Sequence, residues 1–163
     1  MMKSKRFELK PFHLLDDEEI ETFNAEFVKR DGECHILYML PEKSIDEMKK
    51  VMSEDMHTFV LAFLMDDHLA GLVRVTPCPN HKENGQLGWA IRPSMRCKGY
   101  APIMIRMALQ WAEEEFGCSE FTACIDSKNK ASINVARKAG FSMTGNVYHW
   151  TNKRISIEFI AKV

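Results

Sequence analysis

The chain has 163 residues, 45% of them apolar and 28% charged, with 22 basic and 23 acidic side chains for a formal net charge of −1. One domain of that length buries roughly 70% of its unfolded surface, enough for a core without disulfides or metals, and the even charge balance excludes the cationic excess of a nucleic-acid module. No run of 18 apolar residues is present to span a membrane, and the basic residues 1–7 lead into Glu8 and Lys10 rather than an apolar signal segment, so the expected location is cytoplasmic, without membrane or nucleic-acid partners.

In chain order, residues 7–12 alternate apolar and polar and predict an opening strand. Residues 16–30 place Ile20, Phe23 and Phe27 at helical spacing behind a first turn crowded with acids. Ser44, with Glu47 three residues on, spells a capping box for a second short helix. Residues 58–64 are a continuous apolar run of strand length, expected to be covered on both faces, and Asp66, Asp67 and His68 turn it into 69–75 as a hairpin. A polar loop over 77–83 precedes a fourth strand at 85–91. Ala101, Met104, Ile105, Ala108, Trp111 and Ala112 share one helical face over 101–115, packed on a sheet and stopped by Gly117. A short strand at 121–125, a helix at 131–139 ended by Gly140, and strands near 141–148 and 154–161 close the chain. The order β-α-α-β-β-β-α-β-α-β-β, without repeat or linker, is a single mixed α/β domain over 1–163, with its chemistry expected at strand ends.

Five cysteines, Cys34, Cys78, Cys97, Cys118 and Cys124, form no C-x-x-C pair and no metal spacing with a histidine, and they read as reduced thiols; no metal is expected. The near-zero net charge hides an asymmetry. Residues 1–70 carry 9 Lys/Arg against 16 Asp/Glu, whereas 71–163 carry 13 against 7.

The informative segment is 89–101, Trp-Ala-Ile-Arg-Pro-Ser-Met-Arg-Cys-Lys-Gly-Tyr-Ala. A strand ends, a short basic loop follows, and a long helix starts near Gly99. Unpaired NH groups and the positive dipole end make such a helix start a ready anion site, with Gly99 allowing close approach and Arg96 and Lys98 adding charge. Glycine as a plain N-cap explains the same residues. The P-loop and G-x-G-x-x-G phosphate fingerprints are both absent.

Arg96-x-x-Gly99-x-Ala101 after a strand, followed about thirty residues on by Asn129-x-x-Ser132-x-x-Val135-x-x-Lys138-x-Gly140-Phe141, resembles the paired signature of the GNAT-type N-acetyltransferases. The two motifs span 89–141, and the element order of the whole chain is similar to that family. The resemblance implies a central, mostly antiparallel sheet of about six to seven strands with a bulged fourth strand splaying from the fifth, flanked by about four helices. It implies acetyl-CoA as cosubstrate and no metal. By position, Ala90 and Ile91 would offer backbone bonds to the pantetheine. The NH groups of Cys97, Lys98, Gly99, Tyr100 and Ala101, with Arg96, would hold the pyrophosphate, and Asn129 and Ser132 would meet the pantetheine arm. Asn129 also stands where a helix N-cap is wanted, and Ser132 is an ordinary first-turn residue. Many family members carry a tyrosine, the acid for the departing thiolate, where this chain has Ala136. Asn-x-x-Ser without that tyrosine is similar to the branch with ribosomal-protein-type acetyltransferases, which leaves Ser132 and Tyr148 as candidate acids.

The implied reaction is direct attack of a neutral amine on a thioester. A lysine-type amine has a pKa of about 10.4, so a base or water must take a proton; Glu83 or His81, entering the fourth strand, is the candidate. Cys97 has no histidine placed to activate it, which argues against an acyl-cysteine route. The charge partition predicts a cationic amine on a small molecule or peptide, steered by Asp16, Asp17, Glu18, Glu19 and Glu21. A coenzyme A-binding module without turnover and an interaction protein that keeps the fold are the alternatives. Oligomeric state is open, with a homodimer the default.

Overall fold

In the computed structural model, residues 4–31 and 44–163 are described; Cys34 lies outside them. Seven strands, β1 (Phe7–Pro11), β2 (Phe59–Met65), β3 (His68–Pro77), β4 (Asn84–Ile91), β5 (Glu120–Asp126), β6 (Ser142–His149) and β7 (Ile155–Lys162), form one sheet in the order β1-β2-β3-β4-β5-β7-β6. Every neighbouring pair is antiparallel except β4 and β5, which run parallel. Four helices join them: α1 (Asp17–Asp31), α2 (Ile45–Glu54), α3 (Tyr100–Phe116) and α4 (Lys130–Lys138). This is the expected mixed α/β domain, and no described helix is long and apolar enough to cross a membrane.

Strand alternation divides the apolar side chains between two layers. Leu61, Phe63, Val73, Val75, Phe121, Ala123 and Phe159 pack under α3 and α4, with Met104, Ile105, Ala108 and Ala136 fully buried against them. On the opposite face Val60, Ala62, Leu64, Leu69 and Leu72 meet Ile20, Phe23 and Phe27 of α1 and Met48 and Met52 of α2. β2 is therefore buried on both sides, as its unbroken apolar run requires. The Ser44–Glu47 capping box forms, with Ser44 Oγ accepting from the Glu47 NH at 3.3 Å and Glu47 Oε2 accepting from the Ser44 NH at 2.8 Å.

Two features differ from expectation. Short 3-10 turns at Phe12–Leu14 and Pro93–Met95 interrupt segments read as strand end and loop, each beginning beside a proline that fixes φ. The bulge expected in the fourth strand is also missing from its ladder: β3 and β4 pair in unbroken register from Gly71↔Ile91 to Pro77↔Gly85. Register shifts fall elsewhere, between Phe63 and Leu64 in the β2–β3 pair and between Met143 and Val147 in the β6–β7 pair. The opening in the sheet comes from divergence of β4 and β5 instead.

Candidate functional site

β4 and β5 are partners only over Asn84↔Glu120, Gly85↔Phe121 and Gln86↔Thr122; beyond that, β4 continues to Ile91 alone. The Arg92 NH donates to the Ala70 carbonyl at 2.8 Å. Because successive residues of a strand alternate their backbone groups, even-numbered residues of β4 bond β3, while Leu87, Trp89 and Ile91 turn NH and C=O toward β5. The Gln86↔Thr122 bridge uses the Leu87 NH. The Trp89 NH is thus the first donor past the end of the ladder. Ala90 lines the opening, but its carbonyl lies 2.8 Å from where a Cβ on Gly71 would stand, on the β3 side. Of the two expected backbone contacts, Ile91 and not Ala90 faces the gap, with Trp89 replacing the latter.

The gap leads into a cleft of about 660 Å³ between β4 and the N-termini of α3 and α4, and both sequence motifs reach it: Arg96, Gly99 and Ala101 from one, Asn129 and Ser132 from the other. Cys97 and Gly99 both adopt left-handed backbone, with φ of 60° and 79°, and flank Lys98. Alternating handedness curls successive NH groups into a concavity that suits an anion. Gly99 caps α3 without a side-chain hydrogen bond, and a Cβ built on it would meet nothing within 4 Å. The helix start is therefore open toward the cleft, and the residues present fit a pyrophosphate. Pro102 in the first turn removes one of the donors that an α-helix start ordinarily presents.

The side chains of this loop are largely committed. Arg96 donates Nε to the Ile91 carbonyl at 3.2 Å and stacks over the Phe27 ring at 5.3 Å, which fixes a cation at the cleft wall. Lys98 turns back, donating Nζ to the Ser94 carbonyl at 2.9 Å, so it braces the loop. Tyr100 packs against Phe7 with ring centroids 6.2 Å apart, and its hydroxyl is bonded by Lys5. Behind the loop Glu26 of α1 accepts from Arg92 Nε at 2.6 Å and from the Ser94 NH at 2.5 Å. Burial opposes ionisation of Glu26, but the bonds from Ser94 and Arg92 outweigh it and hold its carboxyl below the ordinary value. A helix from one side of the sheet is thereby clamped to the anion loop.

Asn129 does cap α4, accepting from the Ser132 NH at 3.1 Å, and it lines the cleft as well, so the two readings of this residue coexist. Ser132 is half-buried on the cleft wall. Lys138, a position of the second motif to which no role was given, also faces the cleft, and so does Asn134 one helical turn before it; the i, i+4 spacing of Asn134 from Lys138 was the available sequence signal. Phe27 carried no such signal, because only the fold brings α1 to this place.

A family description, "Acetyltransferase (GNAT) domain", matches residues 6–142. The chain belongs to the GNAT acetyltransferase family. No curated protein sequence matches it significantly. Among solved structures, this GNAT domain is similar to spermidine N-acetyltransferase from Vibrio cholerae in complex with CoA and spermine, at 16% identity and TM-score 0.73, covering 96% of this chain and 95% of that one. It is also similar to Campylobacter jejuni N-acetyltransferase PseH in complex with acetyl coenzyme A, at 16% identity and TM-score 0.68, over 96% and 99% of the two chains. At such identities the likeness concerns the fold.

Other residues singled out in the sequence are not brought to the cleft of this GNAT domain. Glu83 and His81 sit at the paired base of β4 and β5, 3.8 Å from each other and well exposed, and Glu83 is six residues, roughly 20 Å, along the strand from Trp89. Asp17 is paired with Lys49 at 2.5 Å, and Glu19 accepts from the Leu69 NH at 3.2 Å, which places the acidic start of α1 over the β2–β3 hairpin. Tyr148 lies on the face of the sheet opposite α3 and α4, donating its hydroxyl to Glu158 Oε2 at 2.8 Å. That bond to Glu158 raises its pKa, so it stays a protonated donor. Among the described residues no group of three or more His, Cys, Asp or Glu gathers as a metal site.

Proposed function

We propose that this GNAT domain transfers the acetyl group of acetyl-CoA to a primary amine on a cationic small molecule or peptide. The observation that carries this reading is the single cleft in which the NH-lined start of α3, the Asn129–Ser132 turn and the gap-facing edge of β4 converge. Acetyl-CoA would supply an activated acyl thioester. The concavity over residues 97–101, with Arg96, binds its phosphates, and Lys138 adds a second cation at the cleft wall. Backbone groups of Trp89 and Ile91 align the pantetheine arm along β4, and the Trp89 NH is the donor for negative charge developing on the carbonyl oxygen.

The acceptor nitrogen attacks the acyl carbon, the carbon–sulfur bond breaks as the carbon–nitrogen bond forms, and the thiolate takes up a proton. Ser132 is the proton donor in this reading. Ala136, where many relatives carry a tyrosine, is 0% exposed in the core and offers no alternative. With Glu83 and His81 outside the cleft, water is the acceptor of the ammonium proton. The Asn-x-x-Ser arrangement with Ala136 also supports kinship with the ribosomal-protein-type branch. Calorimetry with acetyl-CoA and thiol-release assays over a panel of amines at low and high salt test the proposal. Saturable binding with turnover that prefers cationic acceptors and weakens with salt is expected. Binding without transfer to any amine would establish a coenzyme A-binding module, and no binding would leave an interaction protein.

A further inference from the structure

A carboxylate with no counter-ion among the described residues stands beside the gap on the face opposite the cofactor cleft. Cys124, Glu158 and the bulge of β6 lie side by side there: Cys124 of β5 pairs with Glu158 of β7, and the register shift between Met143 and Val147 places Thr144, Gly145 and Asn146 against it. Glu158 Oε1 accepts from Thr144 Oγ1 at 2.9 Å and from Asn146 Nδ2 at 2.8 Å, and Oε2 accepts from the Tyr148 hydroxyl at 2.8 Å. A carboxylate offers about four acceptor positions. Three are taken by neutral donors, and the fourth, on Oε2, is left.

Three carboxylates of β5 and β7 share this outer face, and the contrast among them is informative. Asp126 is paired with Arg154 at 3.1 Å, and Glu120 with Lys162 at 3.5 Å. Glu158, between them, has no cation within ion-pair distance among the described residues, although hydrogen bonds, led by that from Asn146, hold it ionised. The surface beside it is open on the β5 side: Cys124 is exposed, whereas the Arg74 guanidinium lies 3.5–3.8 Å from where a Cβ on Gly88 would stand and covers β4 there. With the cofactor cleft lined by the starts of α3 and α4, the acceptor approaches from the outer face, over Cys124.

We infer that Glu158 binds a second cationic group of the acceptor, one not acetylated, so that the acceptor class is a dication whose two nitrogens are separated by one to two strand spacings, roughly 5–10 Å. Asn146, Thr144 and Tyr148 orient the carboxylate, and the ammonium takes the remaining lone pair of Oε2. The inference rests on the amine-acetylating reading above.

The test compares α,ω-diamines of increasing length with alkyl monoamines of matched length, on wild type and Glu158→Gln. Expected are a KM for the preferred diamine raised about tenfold in the variant, with kcat within about twofold and monoamine kinetics unchanged. Cys124→Lys provides an independent variant: it sets an internal ammonium against Glu158 and should raise the diamine KM by a similar factor. Calorimetric titration of the diamine into the CoA complex should show the same weakening without turnover, while acetyl-CoA affinity stays constant. Diamine kinetics and affinity indifferent to both substitutions, in a wild type that does acetylate amines, overturn this inference and leave the functional reading intact. A wild type that acetylates no amine overturns both.

Discussion

The two faces of the split sheet offer the proposed ligands different materials. On the α3–α4 side, the proposed recognition is by contiguous backbone, residues 97–101 and 129–132, whose NH groups need only a left-handed residue or two and a helix start. On the other side, Cys124, Glu158 and the β6 bulge come from three strands and meet only through register. A phosphate is satisfied by oriented NH dipoles that any residue supplies, so its site is local in sequence. A cationic amine needs a charged side chain with ordered neighbours, so its site is nonlocal and can vary while the cofactor side stays fixed.

If that division holds, the largest effect belongs to Gly99→Glu. The carboxylate would occupy the anion cradle, and acetyl-CoA affinity should fall more than about a hundredfold, about 2.7 kcal/mol, by calorimetry on a variant shown to be folded. Gly99→Ala separates strain from occlusion. With φ of 79° it should lose about 1 kcal/mol of stability, yet its Cβ enters open space, and affinity should change far less. Unchanged acetyl-CoA binding by Gly99→Glu would falsify the cofactor site.

Ser132→Ala comes next. Removal of the proton donor should lower kcat about a hundredfold while the acetyl-CoA Kd moves less than about threefold. Equal loss in both would make Ser132 a binding residue only.

Glu26→Ala should destabilise the protein by about 2 kcal/mol in denaturant unfolding and loosen acetyl-CoA binding, since the clamp joins α1 to the anion loop. The folded-state pKa of Glu26 lies below its ordinary 4.5. Its contribution is therefore fully present above that value and fades as pH falls through the folded one, so wild type and variant should converge in acid. A difference that persists undiminished at low pH would assign the effect to packing.

The smallest effect is expected for Glu83→Ala and His81→Ala, which should change neither the rate nor its pH profile by more than about twofold, given their distance from Trp89. A loss confined to low pH would restore either one as the base.

The sequence by itself determined the order of elements, the capping box at Ser44–Glu47, the two-sided burial of β2 and the helix starts at Gly99 and Asn129. Each of these depends on neighbours within a few residues or on a simple period. It also determined that Ala136 could supply no acid, a matter of residue type alone. Only the tertiary structure decided that β4 runs without a bulge, so that Trp89 rather than Ala90 turns to the gap, because strand alternation is anchored by a bond to Ala70 in another strand. The clamp from Glu26 to Arg92 and the stacking of Arg96 on Phe27 likewise depend on where α1 lands. The acids expected at the acceptor side illustrate the division best. Composition put them at the start of α1, where Lys49 and the Leu69 NH engage two of them, whereas the carboxylate beside the gap that has no ion pair among the described residues is Glu158, in the basic half of the chain. Net charge sums along the chain, but a substrate meets the charges that folding sets side by side.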